Sequence, residues 1–216
     1  MERATPDLSI YLVTDTALCG ARGVVETVAD AVAAGASVVQ LRDPAATDDD
    51  LVVLGRAVAH RLRGSGVPLI VNDRVHLVEA IGADGAHIGQ SDGDPREARR
   101  RLGATAILGL SVQTVDHVAA ARGCGPGVVD YLGVGPIWRQ TTKPDAAEPG
   151  GLDTLRAIVA ESPWPCVAIG GITADRAPEI RRQGAAGIAV VSAVCGQPSV
   201  DEATRRLRRA WDGDQR

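Results

Sequence analysis

A chain of 216 residues suits a single domain, taken as residues 1–216, able to bury most of the surface its unfolded form exposes. Aromatic residues make up 2% and Phe is absent, so Val, Ile, Leu and Ala must build the core. A formal net charge of −4 argues against a general binder of nucleic acid or of anionic membranes, while leaving room for a local basic pocket.

The first predicted strand is Leu8–Thr14 (LSIYLVT), ending at Asp15. Helical periodicity around Val24–Ala34 stops at Gly35, and Ser37–Arg42 (SVVQLR) is the second strand. Thr47 opens a helix, TDDDLVVLGRAVAHRLR. Thr47 with Asp50 makes a start like a capping box, and the acids Asp48–Asp50 suit the positive helix end rather than a metal. Val67–Val71 and Gly85–Ile88 are strands three and four, with a short helix between them. Asp94-Pro95 begins the next helix, with Pro at a tolerated first-turn position. Its basic face, Arg96, Arg99, Arg100 and Arg101, is read as solvated. Ala106–Leu110 is strand five, ending at Ser111, and Thr114 starts another helix. Val128–Leu132 is strand six. The loop Gly135–Gly151 leads to a helix near Leu152–Ala160. Val167–Ile169 and Ala186–Val190 are strands seven and eight, followed by Gly170-Gly171 and Val191-Ser192. A helix over Val200–Trp211, with an Arg-rich face also read as solvated, closes the chain.

Strands written as near-continuous Val/Ile/Ala runs belong to a sheet buried on both faces. Strict alternation with helices makes that sheet parallel. Eight such units predict one α/β domain, a (β/α)8 TIM barrel somewhat shorter than the usual ~250 residues. The alternative is an open doubly wound sheet, but no GxGxxG opens the first strand–helix turn. The four cysteines, Cys19, Cys124, Cys166 and Cys195, show neither CxxC spacing nor His clustering, which argues against zinc. The start MERATPDLSIYLVTD carries no long apolar stretch after a basic one, and no segment approaches a membrane span. The expectation is a cytoplasmic enzyme.

In a barrel the active site lies at the C-terminal strand ends. Those ends here offer Asp15, Gln40, Arg42, Asn72, Asp73, Gln90, Asp92, Ser111, Gly170-Gly171 and Val191-Ser192, one polar mouth on an apolar body. Asp73 and Asp92 follow neighbouring strands and can face one point, as two hard carboxylates holding Mg²⁺. The competing reading is that they cap the helices after them. Arg42, Lys143 and the metal would neutralise a highly charged anion, with Gln40, Asn72 and Ser111 adding neutral hydrogen bonds. That set suits a pyrophosphate. Gly170-Gly171 with Val191-Ser192 lies where this fold usually cradles a single phosphate on backbone N–H groups. The long Gly135–Gly151 loop reads as a lid carrying Thr142 and Lys143. No Ser-His-Asp or Cys-His arrangement follows from residue order. His87 reads as a packed core histidine, and His60, His76 and His117 as structural or exposed.

The stretches YLVTD (Tyr11–Asp15), VVQLR (Val38–Arg42), VNDRVHLVEAIGADGAHIGQSD (Val71–Asp92), GLS (Gly109–Ser111), DYLGVGPIW with TTK (Asp130–Lys143), AIGGIT (Ala168–Thr173) and VVSAV (Val190–Val194) occur in this order. By them the chain resembles the thiamine phosphate synthase family over nearly its whole length. The resemblance implies a transferase joining hydroxymethylpyrimidine pyrophosphate to a thiazole phosphate, giving thiamine monophosphate and pyrophosphate. It implies Gln40, Arg42, Asn72, Ser111 and Lys143 as pyrophosphate ligands, with Arg42, Ser111 and Lys143 assisting catalysis. Asp73 and Asp92 become the Mg²⁺ ligands, and Thr142, Gly171, Val191 and Ser192 the thiazole-phosphate site. The implied mechanism is dissociative and needs no nucleophilic side chain. Two positions depart from the family: Pro44 stands where a Lys is usual, and Gln140 where the lid usually has its first Thr. Arg139 is the candidate to supply a compensating charge. Two rival readings remain open, an isomerase of the thiazole tautomerase kind and a non-catalytic barrel that binds thiamine intermediates. The partners in each case are small phosphorylated molecules.

Overall fold

The protein is described from a computed structural model over residues 6–140, 142 and 147–213. Eight strands close into a parallel barrel in sequential order: β1 Ile10–Val13, β2 Val38–Leu41, β3 Leu69–Asn72, β4 Gly85–Ile88, β5 Ile107–Val112, β6 Tyr131–Val134, β7 Cys166–Ile169 and β8 Gly187–Val190. β1 pairs with β8 as well as β2, so no open sheet edge remains and the doubly wound alternative falls. The helices among the described residues are α1 Thr16–Cys19, α2 Gly23–Ala33, α3 Asp48–Leu62, α4 Val78–Ile81, α5 Pro95–Leu102, α6 Val115–Gly123, α7 Gly151–Glu161, α8 Ala177–Arg182 and α9 Val200–Asp212.

Helix starts follow local chemistry. Thr47 accepts from the Asp50 amide at 3.2 Å and its hydroxyl donates to the Asp50 carboxylate at 2.7 Å, as the capping reading expects. Asp15, Asp94, Thr114 and Ser199 cap α1, α5, α6 and α9 through their side chains. The short α1 lies outside the sequence reading, and Asp15 is spent on starting it.

Strand alternation divides the core in two. Tyr11, Val13, Val38, Ile70, Tyr131, Val167 and Ala189 fill the barrel interior. Ile10, Leu12, Val39, Leu41, Val71, Ile88, Leu108, Leu132 and Ile188 point outward into the larger cluster under the helices. Each fully buried aliphatic chain of this kind contributes about 1.5–3 kcal/mol relative to exposure, so this outer layer dominates stability.

The N-terminal strand ends repeat one device around the barrel. The residue just before each even-numbered strand donates its amide to the strand preceding it: Ser37 to Ile10, Asp84 to Leu69, Asp130 to Leu108 and Ala186 to Cys166, at 2.7, 2.8, 2.9 and 2.7 Å. Three of the four also return a side chain. Ile10, Leu69 and Leu108 amides donate to Ser37 Oγ, Asp84 Oδ2 and Asp130 Oδ2 at 3.0, 2.8 and 2.8 Å. These clips set the register with which the barrel closes.

Two expectations need correction here. The sixth strand begins at Tyr131 rather than Val128, because the stretch before it is held by side chains. The Val128 carbonyl accepts from Arg99 Nε at 3.0 Å, and the Asp130 carboxylate is taken by Leu108. Arg99 is therefore not a solvated residue: it pairs with Asp130 at 2.6 Å, with the two side chains 11% and 16% exposed. Arg100 and Arg101 are exposed as expected.

Candidate active site

Thr14, fully buried after β1, fixes the start of the mouth. Its hydroxyl accepts from the Arg42 amide at 2.9 Å and donates to the Arg42 carbonyl at 3.2 Å. Arg42 is half-buried, and its guanidinium forms no ion pair among the described residues. An unpaired guanidinium at a strand end is a ready anion ligand. Gln40, two residues earlier, is 6% exposed and its amide nitrogen donates to the Tyr11 hydroxyl at 2.9 Å.

β3 and β4 carry the carboxylates. The Asp73 amide donates to the His87 carbonyl at 2.8 Å, and the Asp92 carboxylate accepts from the Gly89 amide at 2.7 Å. Both residues are thus tied to one strand end. Neither caps a helix: the turn after Asp73 has no side-chain cap, and Asp94, not Asp92, starts α5. Asp73 has φ +58°, the one non-glycine residue at positive φ among those described. Such a conformation costs energy for any residue with a Cβ and concentrates at functional sites. Asn72 Nδ2 donates to Asp73 Oδ2 at 2.6 Å, orienting that carboxylate. Among the described residues no group of three or more His, Cys, Asp or Glu surrounds a common point. Two hard carboxylates fit Mg²⁺, an ion that commonly takes its remaining oxygens from water and substrate phosphates.

Arg74, beside Asp73, works structurally. It donates to the Ala46 carbonyl at 2.7 Å and pairs with Asp48 at 3.2 Å, tying down the loop that carries Pro44. Pro44 itself is exposed, in a turn where Asp43 accepts from the Ala45 and Ala46 amides at 3.1 and 3.2 Å.

On β5, Ser111 Oγ lies 2.9 Å from His87 Nε2, and the Ser111 carbonyl accepts from Gln90 at 2.6 Å. His87 is buried as the sequence suggested, yet it touches a proposed ligand. Sequence reading also passed over Tyr11 and Tyr131, the only two tyrosines of the chain, which meet inside the barrel with hydroxyls 2.7 Å apart. The available signal was strand parity, which puts Tyr11, Gln40, Asn72, His87 and Ser111 all on the inner face.

The last two strand ends present backbone. Gly171, at φ +65°, lies so close to the lid's root that a Cβ there would sit 2.7 Å from the Arg139 carbonyl oxygen. Only glycine fits that approach. Arg176 donates to the Gly171 carbonyl and stacks 4.6 Å from the Trp138 ring centre, fixing this peptide against the loop. After β8, Val194 and Cys195 both donate to the Val191 carbonyl, at 3.0 and 2.8 Å, forming a helical turn. The amides of Gly171, Ser192 and Ala193 donate to no backbone acceptor among the described residues. Amides so arranged make an anion cradle. In the lid, Thr142 donates to Gln140 Oε1 at 2.9 Å, and Arg139 is exposed. Lys143 lies outside the described residues.

A family model described as thiamine monophosphate synthase matches residues 10–194. The chain is 48% identical to a thiamine-phosphate synthase of Azorhizobium caulinodans over 202 residues, covering 94% of each chain. It is 45% identical to one from Xanthobacter autotrophicus, covering 94% of this chain and 95% of that one. Among solved structures, thiamine phosphate pyrophosphorylase from Pyrococcus furiosus superposes with a TM-score of 0.85 at 34% identity, covering 95% of this chain and 96% of that one.

Proposed function

From the premise that the chain belongs to the thiamine monophosphate synthase family, we propose that it joins 4-amino-5-hydroxymethyl-2-methylpyrimidine pyrophosphate to a thiazole phosphate. The C–O bond between the pyrimidine methylene and pyrophosphate breaks, and its electron pair leaves with pyrophosphate. The electron-rich pyrimidine stabilises the cation left behind. The thiazole nitrogen then gives its lone pair to that carbon, forming thiamine monophosphate. The enzyme is a transferase that needs no nucleophilic side chain.

The observation that supports this most is the gathering of an unpaired guanidinium, an oriented carboxylate pair and neutral donors around one strand-end mouth. In our reading Arg42, Asn72, Ser111 and Lys143 hold the pyrophosphate. Gln40 joins them, since its bond to the Tyr11 hydroxyl uses one of its two amide hydrogens. Asp73 and Asp92 would hold Mg²⁺, which supplies charge neutralisation for the departing pyrophosphate. Gly171, Val191, Ser192 and Thr142 take the thiazole phosphate. The site's remaining work is to align the partners and exclude water. Arg139 offsets the cation missing at Pro44: Arg139→Ala is expected to raise KM for the pyrophosphate substrate roughly tenfold, as for one charged hydrogen bond. Unchanged kinetic constants would remove Arg139 from the site.

The deciding experiment incubates purified protein with both phosphorylated heterocycles, with and without Mg²⁺. Thiamine monophosphate and pyrophosphate forming only with metal is the expected result. Binding without product overturns the reading in favour of the isomerase or the non-catalytic barrel.

A further inference from the structure

An unbroken line of hydrogen bonds crosses the barrel interior from β2 to β5. Gln40 Nε2 donates to the Tyr11 hydroxyl at 2.9 Å, and the Tyr11 and Tyr131 hydroxyls are 2.7 Å apart. The Tyr131 hydroxyl is 2.9 Å from His87 Nδ1, and His87 Nε2 is 2.9 Å from Ser111 Oγ. Two glycines make the space for it. A Cβ on Gly109 would lie 2.4 Å from His87 Nδ1, and one on Gly133 would lie 2.8 Å from His87 Cε1.

The protons on this line run one way. An amide nitrogen only donates, so the Tyr11 oxygen accepts from Gln40. A phenol has one hydrogen, and that of Tyr11 is then directed to the Tyr131 oxygen. The hydrogen of Tyr131 is directed in turn to His87 Nδ1. A neutral imidazole whose Nδ1 accepts carries its proton on Nε2, and that proton meets Ser111 Oγ. With its oxygen accepting from His87, the Ser111 hydroxyl turns its own hydrogen outward, toward the mouth. Burial raises the pKa of both phenols, so each keeps the hydrogen it hands on.

We propose that His87 is a positioning residue, held in the Nε2–H form by Tyr131, which turns the Ser111 hydroxyl hydrogen toward an unprotonated phosphoryl oxygen. The ligand in this statement rests on the synthase reading; the tautomer does not.

Two measurements test it. Long-range ¹H–¹⁵N correlation on the labelled protein, with His87→Gln to assign the resonances, should place the His87 proton on Nε2 at neutral pH. A proton on Nδ1, or on both nitrogens, overturns the proposal whether or not the protein makes thiamine monophosphate. Tyr131→Phe should then mix the two tautomers, and an unchanged tautomer would remove Tyr131 from the line. The second measurement is a kinetic cycle. His87→Asn, too short to reach Ser111, should lower kcat roughly tenfold with a smaller change in KM, as the leaving group gains charge only in the transition state. His87→Gln, which returns an N–H near the lost Nε2, should recover most of that loss. Adding Ser111→Ala to His87→Asn should cost no more than Ser111→Ala alone. Additive losses would mean that His87 does not act through Ser111. A missing product with an Nε2–H tautomer instead fails the synthase reading and leaves the line intact.

Discussion

The two ends of the barrel use the same residue type for opposite purposes. Asp84 and Asp130 sit before strands, and Asp73 and Asp92 sit after them. The bottom pair are absorbed by the scaffold, each giving its amide to the neighbouring strand and accepting that strand's amide in return. In the top pair, Asp73 accepts a short hydrogen bond from Asn72 at 2.6 Å and Asp92 one from Gly89 at 2.7 Å. A carboxylate can accept about four hydrogen bonds, so those at the mouth retain capacity for a cation. The difference follows from where a strand's unpaired groups point. Amides at strand starts want acceptors, and the carboxylates there supply them. Strand ends leave carbonyls instead, which offer a carboxylate no hydrogen, so the two there take theirs from Asn72 and Gly89.

This comparison predicts that equivalent deletions at the two ends break different things. Asp92→Ala should cut Mg²⁺-dependent turnover by about a hundredfold to a thousandfold, the usual loss when one element of transition-state charge stabilisation is removed. Its melting temperature should barely move, because the Gly89 amide that loses its acceptor can turn to water. Turnover that is unchanged across Mg²⁺ concentrations would remove Asp92 from the metal site. Asp130→Ala should do the reverse. It takes the counter-charge from Arg99, whose side chain is 11% exposed and keeps its bonds to the Gly103, Ala106 and Val128 carbonyls, and it leaves the Leu108 amide without that partner. Breaking such a pair costs about 3 kcal/mol, the low end of the range for buried pairs because some solvent reaches it. Urea denaturation reads that loss, and the KM values of the surviving folded protein should match those of the parent.

How much of this was legible beforehand also divides by end. The mouth carboxylates were readable because Asp73 directly follows β3 and Asp92 lies four residues beyond β4, and strand ends are where a barrel does chemistry. The bottom clips were not, since Asp84 and Asp130 look like ordinary loop residues until the strand register is known. The same is true of Arg99, whose place in a run of arginines suggests solvent. Interior contacts were the least readable. Tyr11 and Tyr131 are 120 residues apart and His87 and Tyr131 are 44 apart, so their bonds exist only once the barrel has closed. Parity alone puts His87 inside; the geometry that joins it to Ser111 comes from the pairing of His87 with Gly109.

A smaller effect probes the backbone cradle within the mouth. Gly171→Ala meets both a left-handed φ of +65° and the Arg139 carbonyl at 2.7 Å. The conformational penalty alone is about 1–2 kcal/mol, and the loop root must retreat to admit the methyl group. KM for the thiazole phosphate should rise roughly tenfold while KM for the pyrimidine substrate changes little. An equal rise in both would mean that the loop serves the whole mouth rather than its phosphate corner.

The smallest effect belongs to the bottom end and concerns pH. Burial pushes the Asp7 carboxyl up, but hydrogen bonds from Ser9 and the Arg208 guanidinium outweigh it and hold its pKa below the ordinary 3.8. A carboxyl whose pKa is lower folded than unfolded stabilises the fold above its unfolded pKa, and that contribution is lost as pH falls through the folded value. Asp7 is largely solvent-exposed and its Arg208 contact is long, at 3.4 Å, so screening limits the gain. The stability difference between the parent and Asp7→Asn should be a few tenths of a kcal/mol, steady at neutral pH and lost as pH falls from the ordinary 3.8 through the lowered folded value. The contrast with Asp92→Ala is then complete in kind. A bottom carboxylate registers in a denaturation curve at acid pH, whereas a mouth carboxylate registers in turnover as Mg²⁺ is varied. An Asp7→Asn variant that lost activity without losing stability would show that the two ends are not separable in this way.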